Sequence, residues 1–392
     1  MIAAVAATGD AGDINCWSGI PYHFTEAAVA SGLPTRPWRL ELGPMRIDRL
    51  AWNLREALLG RGMGGYQYSD AFLARAEAAI EPAQWRGLIL SFNQHFPRGR
   101  AVAERGARLV HYVDATFASF CRPGGLAEKL PRLVRERACA LERENYAMSE
   151  RVVTMARWAA DSVVRDCGVA SSRVATILPG ANLNLPAGYV FPTSGGAESR
   201  KRTLRLGFVG KDWRRKGLPF LLQVRSELSR MGQPAVVRCA GVCPSELSRE
   251  AGLDFVGFID KASAPTRFLD FLAGCDVGCL FSEREPLGIS TLEFLRAGVP
   301  VAGFMVEGVA DTVPPDAGFR FEATATATEV AAVLCEAFRD EDGASRLRAN
   351  ARAWSPLVTW ERCVREWLEL LTTGMIKRPV QPWRGLEFRL AA

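Results

Sequence analysis

The chain has 392 residues, 48 % hydrophobic and 23 % charged, with a formal net charge of +6. Domains cluster at about 100 to 200 residues, so this length points to two of them, and the composition excludes a disordered or fibrous chain. Ten cysteines with no CxxC pair and only three histidines support neither a zinc site nor a disulfide framework.

The chain opens MIAAVAATGDAGD, with no basic residue ahead of its apolar run and an early Asp10, which argues against a secretory signal and for the cytoplasm. Strand-like runs then alternate with helical stretches: Ile2 to Ala7 and a helix over Thr25 to Ser31, Gly87 to Ser91, Arg108 to Val113, and Arg151 to Met155 followed by a helix from Ala159. This βαβ rhythm predicts a parallel sheet covered by helices on both faces. Arginine clusters between Arg36 and Arg55 and between Arg98 and Arg108. Such clusters attract anionic lipid headgroups or phosphorylated ligands, or are simply a solvated surface. No recognition motif or aromatic-basic interleaving suggests nucleic acid as a partner.

After Pro179-Gly180-Ala181-Asn182 the periodicity dissolves into LNLPAGYVFPTSGGAESRKR, a linker composition. The rhythm restarts at LRLGFVG, with a helix over Pro219 to Met231, the strand AVVRCAG, a weak strand at Asp254 to Val256, and a helix over Thr266 to Ala273. DVGCLFS, a helix over Ser290 to Ala297 and PVAGF complete a second α/β domain, and a helix begins at Thr359. The expected division is 1–183, a linker at 184–202, 203–358, and a helix and tail at 359–392. The longest apolar stretches, around Leu88 to Phe92 and Asp276 to Phe281, are far short of the roughly 20 residues of a membrane span. Two such domains facing each other bind ligand in the cleft between them.

SEREPLGISTLEFLRAGVPVAG, from Ser282 to Gly303, is the most informative segment. Glu285 to Gly288 should form a strand-to-helix loop with Ser290 at the helix start, where unpaired first-turn N–H groups favour a diphosphate or sugar hydroxyls. Glu285 and Glu293, spaced E-x7-E, can each accept two hydroxyl hydrogen bonds. A purely structural reading competes for Glu293, because Ser290 and Glu293 have the spacing of a capping box. In GFVGKDWRRKG, Gly210 ends a strand and Lys211, Lys216 and Arg214 or Arg215 are placed to converge on phosphate oxygens. A solvated charge run is the competing reading there. In DINCWSGIPY, Gly19 permits close backbone approach to a phosphate and Pro21 suits an early helical position.

The E-x7-E segment, GKDWRRKG, WSGIPY and RVATILPGAN occur in an order that resembles family 4 of the retaining glycosyltransferases, over nearly the whole chain. The resemblance implies the GT-B fold, two Rossmann-like domains facing across a cleft with a C-terminal helix crossing back to the first. It implies that Glu293 holds the ribose hydroxyls, Glu285 the sugar hydroxyls, and Lys211 and Lys216 the diphosphate of a nucleotide-sugar donor. Amides of Leu287, Gly288, Ile289 and Ser290 would contact sugar and phosphate, backbone at Phe258 and Ile259 the base, and Gly19 the phosphates. No metal ion or other cofactor is implied, and no DxD motif is followed by ligand candidates. Many members place a His at the end of the fourth strand, whereas RLVHYVDATF puts Asp114 near that place with His111 inside the strand. Asp114 is therefore the expected sugar-facing residue.

The activity implied is glycosyl transfer from a UDP or GDP sugar to an acceptor hydroxyl with retention, the leaving diphosphate helping to deprotonate the acceptor. A carbohydrate or lipid-linked acceptor and peripheral contact with the inner membrane face fit that reading. Alternatives on the same scaffold are a nucleotide-sugar epimerase or a catalytically silent binding protein.

Overall fold

A computed structural model describes residues 2–40, 42–43, 45–186, 188–191, 203–241, 247, 252–339, 341–376 and 380. The chain divides into two compact units, Met1–Leu178 with Cys363–Pro379, and Pro179–Arg362 with Val380–Ala392. Most of the predicted linker and the tryptophan-bearing tail lie outside the described residues.

In the first unit the strands are β1 (Ile2–Ala6), β2 (Arg36–Pro37), β3 (Leu88–Ser91), β4 (Arg108–Val113), β5 (Arg151–Thr154) and β6 (Val174–Thr176). The helices are α1 (Ile20–Ala30), α2 (Arg46–Leu58), α3 (Asp70–Ala78), α4 (Gly99–Glu104), α5 (Phe117–Phe120), α6 (Arg132–Met148) and α7 (Arg157–Cys167). The sheet runs β2-β1-β3-β4-β5-β6 with every pairing parallel. Helix α1 starts at Ile20, five residues before its expected start at Thr25, because Pro21 fits the first turn and Gly19 supplies the left-handed entry, φ 86°. The two-residue β2 and the half-buried β6 are too short for periodicity to reveal and were not expected.

The second unit contains β7 (Leu204–Gly210), α8 (Leu218–Arg230), β8 (Ala235–Gly241), β9 (Leu253–Gly257), α9 (Pro265–Ala273) and β10 (Val277–Leu280). It continues with α10 (Ile289–Arg296), β11 (Val301–Phe304), α11 (Val309–Thr312), β12 (Gly318–Phe321), α12 (Ala327–Arg339) and α13 (Glu341–Trp354). Its sheet runs β12-β11-β10-β7-β8-β9, again parallel throughout. The central β10 and β11 are buried at every residue, whereas edge β9 is partly exposed throughout, as expected when helices cover both faces of a parallel sheet. Leu206, Phe208, Val237, Val277, Cys279 and Ala302 form its core with Leu221 and Val224 of α8.

Helix α14 (Trp360–Thr373) crosses the unit boundary at Arg362. Within the first unit its Trp367 packs edge-on against Phe24 of α1 and Tyr112 of β4, with ring centroids 6.2 and 5.3 Å away. The described cysteines are all free thiols. Among the described residues no helix is long and apolar enough to cross a membrane.

Candidate active site

In the second sheet β7 starts the unit, β8 and β9 follow on one side, and β10 is laid down on the other. The loops leaving β7 and β10 therefore diverge at a topological switch point, where open α/β sheets form ligand crevices at their carboxyl ends. The cationic loop follows β7 and the glutamate loop follows β10, so the fold brings these two sequence segments together.

Glu285 is the meeting point. Its Oε2 accepts from Lys216 Nζ and from Arg215 Nη1, both at 3.1 Å, and from Ser282 Oγ at 3.4 Å. Arg215 also donates to the Arg284 carbonyl at 3.0 Å and to Asp212 at 3.2 Å, which fixes the guanidinium. Burial opposes the charge of Glu285, but Lys216 and Arg215 outweigh it and hold the carboxyl below the usual carboxylate range. Among the described residues no donor reaches Oε1. Glu285 lies in the expected strand-to-helix loop and is there a buried ion-pair partner of two cations.

Gly210 admits this arrangement. A Cβ there would lie 2.5 Å from Cδ of Lys216, so a larger residue would displace the lysine stem from its path across the end of β7. Lys211 Nζ lies over the Phe258 ring, 5.0 Å from the centroid. Arg214 stacks on Trp213 at 4.6 Å. Phe258 is 52 % exposed and Ile259 is buried, both in the loop after β9.

The capping-box reading of Glu293 is overturned. The N-cap of α10 is Gly288, in the left-handed region at φ 80° and ψ 50°, and no side chain caps the helix. Ser290 is the second helical residue rather than the cap, and Glu293 is the fifth, beyond the first turn. The Glu293 carboxylate, 1 % exposed, instead accepts from Nζ of Lys261, which also donates to the Asn182 carbonyl at 3.3 Å. Burial raises the Glu293 pKa and Lys261 only partly offsets it. Leu287 is buried, and its carbonyl accepts from Thr312 Oγ1 at 3.2 Å. The first-turn N–H groups at Ile289 and Ser290 thus face no side-chain cap, a favourable place for an anion.

In the first unit, Gly19 closes the β1–α1 turn, where Trp17 and Ser18 also have positive φ, 49° and 58°. Non-glycine residues hold that conformation only where the surroundings impose it. Asp114 follows β4 and is half-buried. His111 lies inside β4, fully buried. Ser149 Oγ donates to the Asn145 carbonyl at 2.8 Å, so it accepts from His111 Nδ1 at 2.7 Å, which places the imidazole proton on Nδ1. Nε2 then has no partner among the described residues, and burial, with His95 adding, pushes the pKa down to about 3.

Sequence reasoning missed Lys261, although it is the cation of GFIDK, four residues past the end of β9. It also missed the run Asn93-Gln94-His95 after β3, where Asn93 Nδ2 donates to Thr8 Oγ1 beyond β1 at 3.3 Å. Three consecutive polar residues just past the end of β3 were the available signal. Among the described residues no cluster of His, Cys, Asp or Glu is placed to hold a metal ion.

Residues 196–354 match the family described as glycosyl transferases group 1. That match spans both carboxylates and all the cations that bind them. A stretch of 117 residues is 31 % identical to 2-deoxystreptamine glucosyltransferase from Streptomyces kanamyceticus, covering 28 % of this chain and 29 % of that protein. The chain thus spans less than a third of this curated relative. Sucrose-phosphate synthase from Thermosynechococcus elongatus superposes with a TM-score of 0.62 at 16 % identity, over 95 % of this chain and 98 % of that one. HepE from Anabaena, in complex with UDP and glucose, gives 0.63 at 14 % identity, over 95 % and 99 %. The fold is GT-B. Both parallel six-stranded sheets belong to that fold, at identities that speak for architecture alone.

Proposed function

We propose that this GT-B chain is a retaining, metal-independent glycosyltransferase that moves a sugar from a nucleotide diphosphate donor to an acceptor hydroxyl. One observation carries the reading: in two buried glutamates, one in the loop after β10 and one in α10, cations occupy one carboxylate oxygen and no described donor reaches the other. A carboxylate held in this way is oriented, charged and still able to accept from a hydroxyl. Glu285 would take the sugar hydroxyls and Glu293 the ribose diol.

The leaving diphosphate would lie against the N-terminus of α10 and the Lys216 and Arg215 side chains, where charge developing on the departing oxygen is stabilised without a metal. Lys211, over the exposed face of Phe258, would reach the diphosphate or flank the base held near Phe258 and Ile259. Within the first unit, Asp114 and Gly19 would be the ligand-facing residues. The binding of UDP and glucose by HepE supports a nucleotide-sugar donor here, and a carbohydrate or lipid-linked acceptor follows from the same reading.

Calorimetric titration with UDP, GDP and their common sugar conjugates, in magnesium and in EDTA, tests it. Binding of one nucleotide series unchanged by EDTA, followed by donor consumption that requires an added acceptor, is the expected result. Failure of every nucleotide to bind would overturn it.

A further inference from the structure

Helix α2 is turned inside out. Its inward residues are polar or amphipathic: Glu56 is the one buried residue, Asn53 Oδ1 accepts from the Gly64 amide at 2.9 Å, and Trp52 Nε1 donates to the Gly64 carbonyl at 3.0 Å. Its outward residues are aliphatic. Ile47 is 81 % exposed, Leu50 70 %, Leu54 60 % and Leu58 80 %, and at 3.6 residues per turn the four fall within an arc of roughly 80°. Leu59 and Met63, just past the helix, are exposed as well.

The charges around this stripe are of one sign. Arg46 and Arg55 flank it on opposite sides, Arg49 and Arg61 are also exposed, and the two acids of the helix are engaged elsewhere, Asp48 with Arg75 and Glu56 in the interior. A solvated helix would not spend four large aliphatic residues on water, at a cost proportional to the apolar area exposed. A stripe about 17 Å long, bordered by arginines whose stems can reach up from an apolar layer, matches an interface between acyl chains and anionic headgroups.

We infer that α2 is a membrane-docking helix that lies flat on an anionic lipid bilayer, with Ile47, Leu50, Leu54 and Leu58 inserted and the flanking arginines at headgroup phosphates. Anionic lipid is favoured over a protein partner by the arginines on both flanks and the lack of any exposed unpaired acid on the helix. Docking requires neither donor nor acceptor, so it can be read independently of turnover.

The full chain is mixed with vesicles of phosphatidylcholine alone and with vesicles containing about one third phosphatidylglycerol, at low and high salt, and sedimented. Co-sedimentation with the anionic vesicles only, weakening as salt rises, is expected. Leu50→Glu combined with Leu54→Glu should lower the partition coefficient by about tenfold or more, with an unchanged melting temperature because both side chains are exposed. Arg46→Glu combined with Arg55→Glu should also lower it and remove most of its salt dependence. Anionic-vesicle binding that survives the leucine variants, or no vesicle binding at all, overturns the inference. A dimer in sedimentation velocity that the leucine variants dissolve, without vesicle binding, would assign the stripe to a second copy of this chain.

Discussion

Lys261 donates from its ammonium to Glu293, so a residue of the loop between β9 and α9 neutralises a carboxylate buried in α10. Replacing Lys261 by Met leaves Glu293 buried without its partner and pushes its already raised pKa further up. Removing one partner of a fully buried pair costs about 3 to 5 kcal/mol, and the 26 % exposure of the Lys261 side chain places this pair below that range. Lys261→Met should lower stability in a denaturant titration and weaken nucleotide affinity about tenfold, since a protonated Glu293 accepts less well from a diol. The double variant with Glu293→Gln should recover stability but not affinity. Additive losses of stability in that cycle would show the pair to be energetically idle.

Glu285→Gln should lower turnover by about a hundredfold or more, because it removes the charge that orients Lys216 and Arg215 as well as an acceptor for the sugar. The fold should persist. Loss of the ion pairs is expected to lower the melting temperature by a few degrees, in line with about 2 to 4 °C per kcal/mol for a domain of this size. Circular dichroism with single-turnover kinetics separates the two effects; wholesale unfolding would reassign Glu285 to structure alone.

Much of the architecture was legible because buried parallel strands are short apolar runs. LRLGFVG, AVVRCAG and RLVHYV read as strands from sequence with the bounds the structure gives them. The site was legible only as composition. That Glu285, Arg215 and Lys216 lie together follows from β10 pairing with β7, a crossover that spacing along the chain does not reveal. Glu293 illustrates the limit more sharply: Ser290 and Glu293 fit a capping box, yet Gly288 caps the helix one residue before its first turn and frees the carboxylate for a lysine some thirty positions earlier, roughly nine helical turns in chain length. Local spacing cannot register such a partner.

Trp367 ties α14 to the first unit and is 1 % exposed, while its Nε1 has no hydrogen-bond partner among the described residues. Trp367→Ala should cost about 3 to 5 kcal/mol by opening a cavity between Phe24 and Tyr112. Trp367→Phe should cost far less, because it keeps an aromatic edge in place and deletes an unpaired polar group. Chemical denaturation of both variants checks the difference, and equal losses would mean that the indole nitrogen is bonded in solution.

Three of the titratable groups buried in the first unit have effects on stability that oppose one another. Burial pushes His111 down to about 3, and it pushes His95 down to about 4 despite the hydrogen bond to the Ala138 carbonyl. Both are neutral when folded and take up protons when unfolded, so their contribution is present above the ordinary histidine range and is lost as pH falls. Glu142 runs the other way. Burial raises it to about 7, with the bonds from the Phe117 amide and the Tyr146 hydroxyl working against that rise. A raised carboxyl binds its proton in the folded state, so its contribution is full below the ordinary carboxylate range and is lost as pH rises through 7. Between about pH 5 and 6 the two histidines steepen the rise of stability with pH, and Glu142 cancels about one proton of it. Glu142→Gln removes that cancellation while its amide oxygen still accepts from Phe117 and Tyr146. The slope of unfolding free energy against pH in that window should therefore increase by about 1.4 kcal/mol per pH unit relative to the parent. Urea titrations at several pH values read this directly, and an unchanged slope would show that Glu142 is ionised in the folded protein.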